Sequence, residues 1–317
     1  MHIKEISYKD VCNVKISLIG LGGCGKTSLY STTFKGSAPH DTKRLSPTIM
    51  FEVRRHPFLG LEMSLFDFGG QDQYRNDYLA QPQVFAETDI LIPVVDLHDP
   101  DSFEKAKEYF QQIIDLFRQN YWKPQVYIFF HKYDTEDGYQ REFLESNVTS
   151  AKEMFLDLFQ EYEPQWALTS IYEQEKLARI FRDILMSGYK SLKENLEKAE
   201  EQLSEIKAKI IISDISGNVL VHNITGITAG LQLRGDFRDF IEACNTLREN
   251  YFMSDSAKFT GTSSDGKEVE LHIFKYILAV MILKGPDFDS ESMELVRVLL
   301  QDMELFADLV VSAHADE

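Results

Sequence analysis

The segment Val14–Ile19 and the apolar runs Met63–Phe66 and Val126–Phe130 each have the length of a short buried strand, and each ends in polar or glycine-bearing residues. Ser28–Ser31, just after the first, can open a helix. Beyond residue 190 the pattern changes. Leu192, Leu196, Ala199, Leu203, Ile206 and Ile210 recur at spacings of four and three, an a/d alternation over residues 190–210. So few heptads fit a connecting helix packed on its own domain better than a free coiled coil. Two apolar strands then flank the turn-rich Asp214–Asn218, which predicts a hairpin over Lys209–His222. Asp236–Tyr251 reads as a helix with Phe237, Phe240, Ile241 and Leu247 on one side. A second hairpin turn falls at Ser263–Gly266; Val269–Tyr276 is a strand, and Ile277–Leu283 continues it or pairs with it. A last helix runs over Ser290–Leu309, capped by Asp289 or Ser290.

The turn after the first strand carries the most specific chemistry. Gly20-Leu21-Gly22-Gly23-Cys24-Gly25-Lys26-Thr27 fits the phosphate-binding pattern G-x-x-x-x-G-K-[ST], in the strand–loop–helix setting that the motif requires. Glycines let successive N–H groups converge on phosphate oxygens, and the helix N-terminus adds its positive dipole end. Gly20, Gly22, Gly23, Cys24, Gly25, Lys26, Thr27 and Ser28 are therefore candidate nucleotide contacts. Lys26 would reach the β- and γ-phosphates, and Thr27 would place its hydroxyl on Mg²⁺. A glycine-rich turn that happens to precede Lys-Thr is the weaker reading.

Three further segments follow in order. Met63-Ser64-Leu65-Phe66-Asp67-Phe68-Gly69-Gly70-Gln71 ends an apolar run in an acid, so Asp67 would hold Mg²⁺ from a strand end. Gly70 offers an N–H to a γ-phosphate, and Gln71 would orient the attacking water. Asp134, in Phe130-His131-Lys132-Tyr133-Asp134, can accept from the guanine N1–H and exocyclic amine, a pairing adenine does not offer. The stem of Lys132 can lie over the base. His131 stands where most small GTPases have Asn, so its contact with the base is open. Between the loop helix and the next strand lies Asp41-Thr42-Lys43-Arg44-Leu45-Ser46-Pro47-Thr48-Ile49, where Thr48 would reach Mg²⁺ and sense the γ-phosphate. Arg44 is more plausibly a solvated loop residue than a finger acting in cis. Ala167-Leu168-Thr169-Ser170 either touches guanine O6 through Ser170 or is an ordinary strand end.

These segments resemble the Rag/Gtr branch of the small GTPases. Asp41–Leu45 before Thr48-Ile49 looks like its switch I, Asp67–Asp72 like its switch II, His131–Asp134 like its His-Lys-x-Asp motif, and Thr169–Tyr172 like the stretch after its last core strand. Gln71-Asp72 is closer to the RagA/Gtr-one side. The resemblance is strong over residues 14–172 and patterned beyond. It implies an α/β protein: a P-loop NTPase G domain over 1–189, with a mostly parallel sheet and helices on both faces, then a small α/β roadblock (longin-like) domain over 190–317. It also implies slow, partner-activated hydrolysis of GTP to GDP with Mg²⁺. GTPase-activating and exchange proteins would be partners. Residues 190–317 would form a homodimer, or a heterodimer with a Rag-like paralogue.

Composition sets outer limits. A chain of 317 residues accommodates two domains. The formal charge is −18, and from Lys190 onward 13 basic residues face 23 acidic ones. Both halves are acidic, which argues against a nucleic-acid binder and against direct docking on anionic lipid. Membrane recruitment would come through a partner. Cys12, Cys24 and Cys244 have no metal or disulfide spacing, and no signal peptide, bilayer-length apolar run or lipidation box is evident, so a cytoplasmic protein is expected. Two other readings compete with a regulatory GTPase. One is a GTP-binding scaffold whose hydrolysis is unimportant. The other is a P-loop ATPase or kinase, which Asp134 with Lys132 disfavours.

Overall fold

The computed structural model describes residues 13–34, 37–42, 45–46, 48, 51–59, 61–69, 71–136, 138–187, 190–224, 241, 246, 256–262 and 266–315. The expected helix over 236–251, apart from Ile241 and Thr246, lies outside them, as do Arg44, Gly70 and Ser263–Asp265. The chain divides into two compact units. Asn13–His56 with Glu62–Ile180 form the first, and the described parts of Pro57–Leu61 and Phe181–Glu317 form the second.

The apolar segments of the first unit assemble side by side. Strands β1 (Asn13–Ile19), β2 (Phe51–Phe58), β3 (Leu61–Phe68), β4 (Ile90–Asp96), β5 (Gln125–His131) and β6 (Gln165–Thr169) form one sheet in the order β2-β3-β1-β4-β5-β6. The β1–β3, β1–β4, β4–β5 and β5–β6 pairs are parallel, with Leu18 opposite both Asp67 and Ile92. A parallel strand covered on both faces is apolar throughout, and Ile90–Val95 is buried at every position. Pro93 lies within that central strand. The pairing with β5 passes from Leu91↔Val126 to Val94↔Phe129 across the proline, which has no N–H to give.

Helices follow the strands: α1 (Lys26–Phe34), a single turn α2 (Pro39–Thr42), α3 (Asp72–Ala80), α4 (Phe103–Gln119), α5 (Arg141–Leu158) and α6 (Gln174–Leu185). On α4, Phe103, Ala106, Tyr109, Phe110, Ile113, Ile114 and Phe117 recur at helical spacing and are all buried. The core they enter is aromatic. Phe68 stacks on Phe85 at 4.6 Å and meets the Tyr78 edge at 5.0 Å. Each such ring contributes about 1.5–3 kcal/mol by burial.

The second unit contains α7 (Lys190–Glu205), β7 (Ala208–Asp214), β8 (Val219–His222), β9 (Ala257–Thr262), β10 (Glu268–Phe274), β11 (Leu278–Lys284) and α8 (Ser290–Ala315). Its sheet has the order β8-β7-β11-β10-β9 and is antiparallel throughout. Ile277–Leu283 pairs with the preceding strand rather than continuing it. The a/d stripe is shorter than its sequence pattern. Leu192, Leu196, Ala199 and Leu203 are buried on α7, but the helix ends at Glu205 and Ile210 belongs to β7. Asp302 of α8 accepts from Gln202 of α7 at 2.8 Å and pairs with Lys198 at 2.9 Å. Asp289 caps α8, its Oδ1 accepting from the Ser292 N–H at 2.8 Å.

Asp214 organises the β7–β8 turn. Its Oδ1 accepts from the Ser216 and Asn218 N–H groups, both at 2.9 Å, and its Oδ2 from the Asn218 amide at 2.7 Å. Oδ2 also accepts from the N–H of Leu59 at 3.0 Å, a turn residue with φ 49° that groups with this unit. Burial pushes the Asp214 carboxyl up to about 6, against the opposing pull of these hydrogen bonds. A pKa above the unfolded value of 3.8 means that the stability tied to the protonated acid is full below 3.8 and lost as pH rises through about 6. Asp214→Ala should therefore do two things in denaturant titrations. It strands several buried donors, costing about 3 kcal/mol at neutral pH. It also removes the component of stability that declines from pH 4 to 7.

Candidate nucleotide site

The loop after β1 is shaped by what surrounds it. Gly20 has φ 156°, and a Cβ there would lie 2.6 Å from the Val94 carbonyl oxygen and 2.7 Å from Cys24 Sγ. Gly25 has φ 94°, and its Cβ would meet the His131 ring at 2.6 Å. No side chain fits at either position, so the loop backbone runs close between β4 and the end of β5. Lys26 opens α1 nearly buried, and its Nζ donates to the Gly20 and Leu21 carbonyls at 3.0 and 2.9 Å. Cys24 is buried beside it at 3.5 Å, and burial raises its thiol pKa, so the group is a small packing element rather than a nucleophile.

Oxygen ligands converge next to the loop. Thr27 Oγ1 donates to Asp67 Oδ2 at 2.6 Å and lies 2.9 Å from Thr48 Oγ1, which is itself 3.3 Å from the same carboxylate oxygen. Asp67 is fully buried near the end of β3, and its other oxygen, Oδ1, has no hydrogen-bond partner among the described residues. Two hydroxyls and a buried carboxylate with a spare oxygen fit a small, hard divalent cation such as Mg²⁺.

The far wall comes from the ends of β5 and β6. Lys132, with φ 63°, pairs through Nζ with Asp96 Oδ2 at 2.5 Å, which fixes the course of its aliphatic stem. Asp134 Oδ2 accepts from Ser170 Oγ at 2.6 Å, and Oδ1 is buried without a partner among the described residues. His131 is buried against Gly25, and its Nδ1 lies 3.0 Å from Thr169 Oγ1. Burial, reinforced by the charge of Lys132, pushes the imidazole down to about 3, so it is neutral at physiological pH.

These elements enclose a cavity of about 930 Å³. Gly22, Gly23, Gly25, Lys26, Thr27, Ser28, Thr48, Gln71, His131, Lys132 and Asp134 line it. Gln71 is exposed at the start of α3. Gly20 and Cys24 are not on the wall but support the loop, and Asp67 stands behind the two threonines. Ser170 is fully buried behind Asp134, its Oγ also accepting from the Tyr172 N–H at 3.1 Å; Ile171 and Tyr172 form the lining there. Asp96, His98 and Tyr139 are among the lining residues that escaped the sequence reading. Asp96 anchors Lys132, and His98 and Tyr139 stack at 3.8 Å with His98 Nε2 3.4 Å from the Asp134 carbonyl oxygen. The signal for Asp96 was an apolar run ending in an acid, but Pro93 interrupts it. His98 and Tyr139 are brought together only by the fold.

The sequence matches the model of the Gtr1/RagA G protein conserved region over residues 15–228. It is 29% identical over 163 residues to the GTP-binding protein gtr1 of Schizosaccharomyces pombe, covering 50% of this chain and 52% of that one. It is 31% identical over 191 residues to the Ras-related GTP-binding protein A of Dictyostelium discoideum, covering 58% and 62%. The chain thus spans between about half and three-fifths of the length of these relatives. With the family region matched across two-thirds of its length, through the phosphate loop, Asp67 and the His131–Asp134 segment, the chain belongs to the Gtr1/RagA family of G proteins.

Proposed function

We propose that this chain is a regulatory switch that binds GTP, hydrolyses it slowly to GDP and phosphate, and signals through partners as a dimer. One observation carries the proposal. Two buried carboxylate oxygens lack hydrogen-bond partners among the described residues, Asp67 Oδ1 behind Thr27 and Thr48, and Asp134 Oδ1 beside Lys132. An unpaired buried acceptor costs about 1–3 kcal/mol, more when charged, so both positions call for a ligand. A cation at one and a guanine edge at the other answer both demands with one magnesium nucleotide.

Each residue then has a role. The loop N–H groups and Lys26 hold the phosphates. Thr27, Thr48 and Asp67 would hold Mg²⁺, which when bound supplies positive charge to the β- and γ-phosphates. Gln71, which lines the cavity, orients a water for in-line attack; Gly70, outside the described residues, would offer its N–H to the γ-phosphate. Asp134 selects guanine, with Ser170 fixing its carboxylate. His131 acts as a neutral tie between the loop and β6, and takes over from Asn by packing rather than by reaching the base. Residues 1–189 form the switch. Residues 190–317, a roadblock-like module whose sheet has β8 and β9 at its edges among the described residues, form the platform for a second copy or a paralogue. Among the described residues no helix is long and apolar enough to cross a membrane, and the charge of −18 leaves membrane recruitment to a partner.

Three outcomes are expected. By calorimetry the chain binds GDP and GTP but not ADP or ATP, and Asp134→Asn weakens GDP by about 10–100-fold while improving xanthosine diphosphate, whose carbonyl suits the new amide donor. Tight ATP binding by the wild type would overturn the assignment. In single-turnover hydrolysis of preloaded GTP, Gln71→Leu slows the step by at least about tenfold with binding intact. An unchanged rate would favour a nucleotide-binding scaffold. The His131 pKa lies below the unfolded value of 6.5, so the stability tied to the neutral ring is full above pH 6.5 and lost as pH falls toward about 3. Urea titrations at pH 7 and 5 should show His131→Asn losing less stability on acidification than the wild type.

A further inference from the structure

The carboxylate that would hold the metal has a cationic neighbour that the nucleotide site does not require. Arg54 lies on β2, and its Nη2 is 3.6 Å from Asp67 Oδ2, the oxygen that already accepts from Thr27. The same nitrogen pairs closely with Glu52. The guanidinium carbon sits 4.3 Å over the Tyr30 ring of α1. The Arg54 side chain is 13% exposed and that of Asp67 0%, so their charges meet with little screening by solvent. Arg54 Nε is buried and has no hydrogen-bond partner among the described residues.

We infer that Arg54 is a built-in rival of the divalent cation at Asp67, a positioning residue that keeps Mg²⁺ affinity, and with it nucleotide retention, below what Thr27, Thr48 and Asp67 alone would give. The inference rests on the magnesium-nucleotide assignment above. Its physical basis is charge. A guanidinium within 4 Å offsets part of the negative charge that attracts the metal, and it repels a second cation seated on the same carboxylate. Glu52 gives Arg54 a second place to stand. Its side chain is 55% exposed and already holds the same nitrogen, so when the metal binds Arg54 yields only its longer contact, that to Asp67. The Tyr30 face holds the guanidinium in reach of both carboxylates. The strength of the metal site is thereby tied to β2 itself.

The test is release of a fluorescent GDP analogue from the full chain, followed as Mg²⁺ is raised from chelated to millimolar levels. The wild type should release more slowly as Mg²⁺ rises, with a definable half-point. Arg54→Gln should move that half-point to about tenfold lower Mg²⁺, and Arg54→Lys, which keeps the charge, should stay within about twofold of wild type. Glu52→Gln frees Arg54 for Asp67 and should move the half-point upward. A half-point unchanged or raised in folded Arg54→Gln overturns the inference while leaving the metal site intact. If Arg54→Gln does not fold, an unmoved half-point in Glu52→Gln, a change at an exposed carboxylate, overturns it instead. A wild type whose release ignores Mg²⁺ overturns the metal site and the rivalry together.

Discussion

Leaving a buried carboxylate oxygen without a partner is costly, and among the described residues of the nucleotide unit Asp67 Oδ1 and Asp134 Oδ1 are both in that position. Much of the first unit is arranged to keep those two groups in place. Asp67 is carried to its position by β3, which pairs with β1 so that Leu18 lies opposite it, and the phosphate loop begins two residues later, at Gly20. Asp134 follows β5, and Ser170 follows the neighbouring β6, so the hydrogen bond between them depends on the parallel register of two strands. Parallel strands bring their C-terminal ends to one side of the sheet, which is why the residues at the ends of β1, β3, β4, β5 and β6 meet at one cavity.

The loop itself is held by contacts that only glycine permits. Gly20 presses on the Val94 carbonyl and Gly25 on the His131 ring, so loop shape is set by β4 and β5 together. This gives the unusual histidine a physical role. A ring is larger than an asparagine amide and fills the space beside Gly25, while Nδ1 keeps the tie to Thr169. Charging such a ring would place a cation in a buried site beside Lys132, and the pKa falls accordingly. The tie therefore stays neutral under conditions in which an exposed histidine would titrate.

The legible parts of the sequence were those in which local pattern and site chemistry coincide. The phosphate loop, Asp67 and the His131–Asp134 run each follow directly on an apolar strand, so period and motif reinforce one another. The hairpin over Lys209–His222 was legible for a similar reason, since two short apolar strands flank a polar turn. What escaped was nonlocal or self-contradictory in sequence. The β4 strand contains a proline that a central strand seldom accepts. His98 and Tyr139 come from segments about forty residues apart and stack because β4 and β5 are neighbours. The stripe over 190–210 continued into Ile210 because a buried strand residue can extend a helical spacing by coincidence. The sequence left Ser170 open between a guanine contact and an ordinary strand end, and only the fold shows its hydroxyl donating to Asp134.

Arg54 shows most clearly why a motif is not yet a site. In sequence it is one basic residue in an unremarkable strand, thirteen positions before Asp67. The fold brings it within 3.6 Å of that carboxylate and lays its guanidinium over the Tyr30 ring, turning an ordinary surface charge into a partly desolvated one. At such a distance the interaction depends on dielectric surroundings more than on separation, being several times stronger at an effective ε of about 20 than in water. Thr27, Thr48 and Asp67 supply the oxygens, and Arg54 supplies part of the field in which they sit. On the magnesium-nucleotide reading proposed above, that field would set how firmly a divalent cation is held.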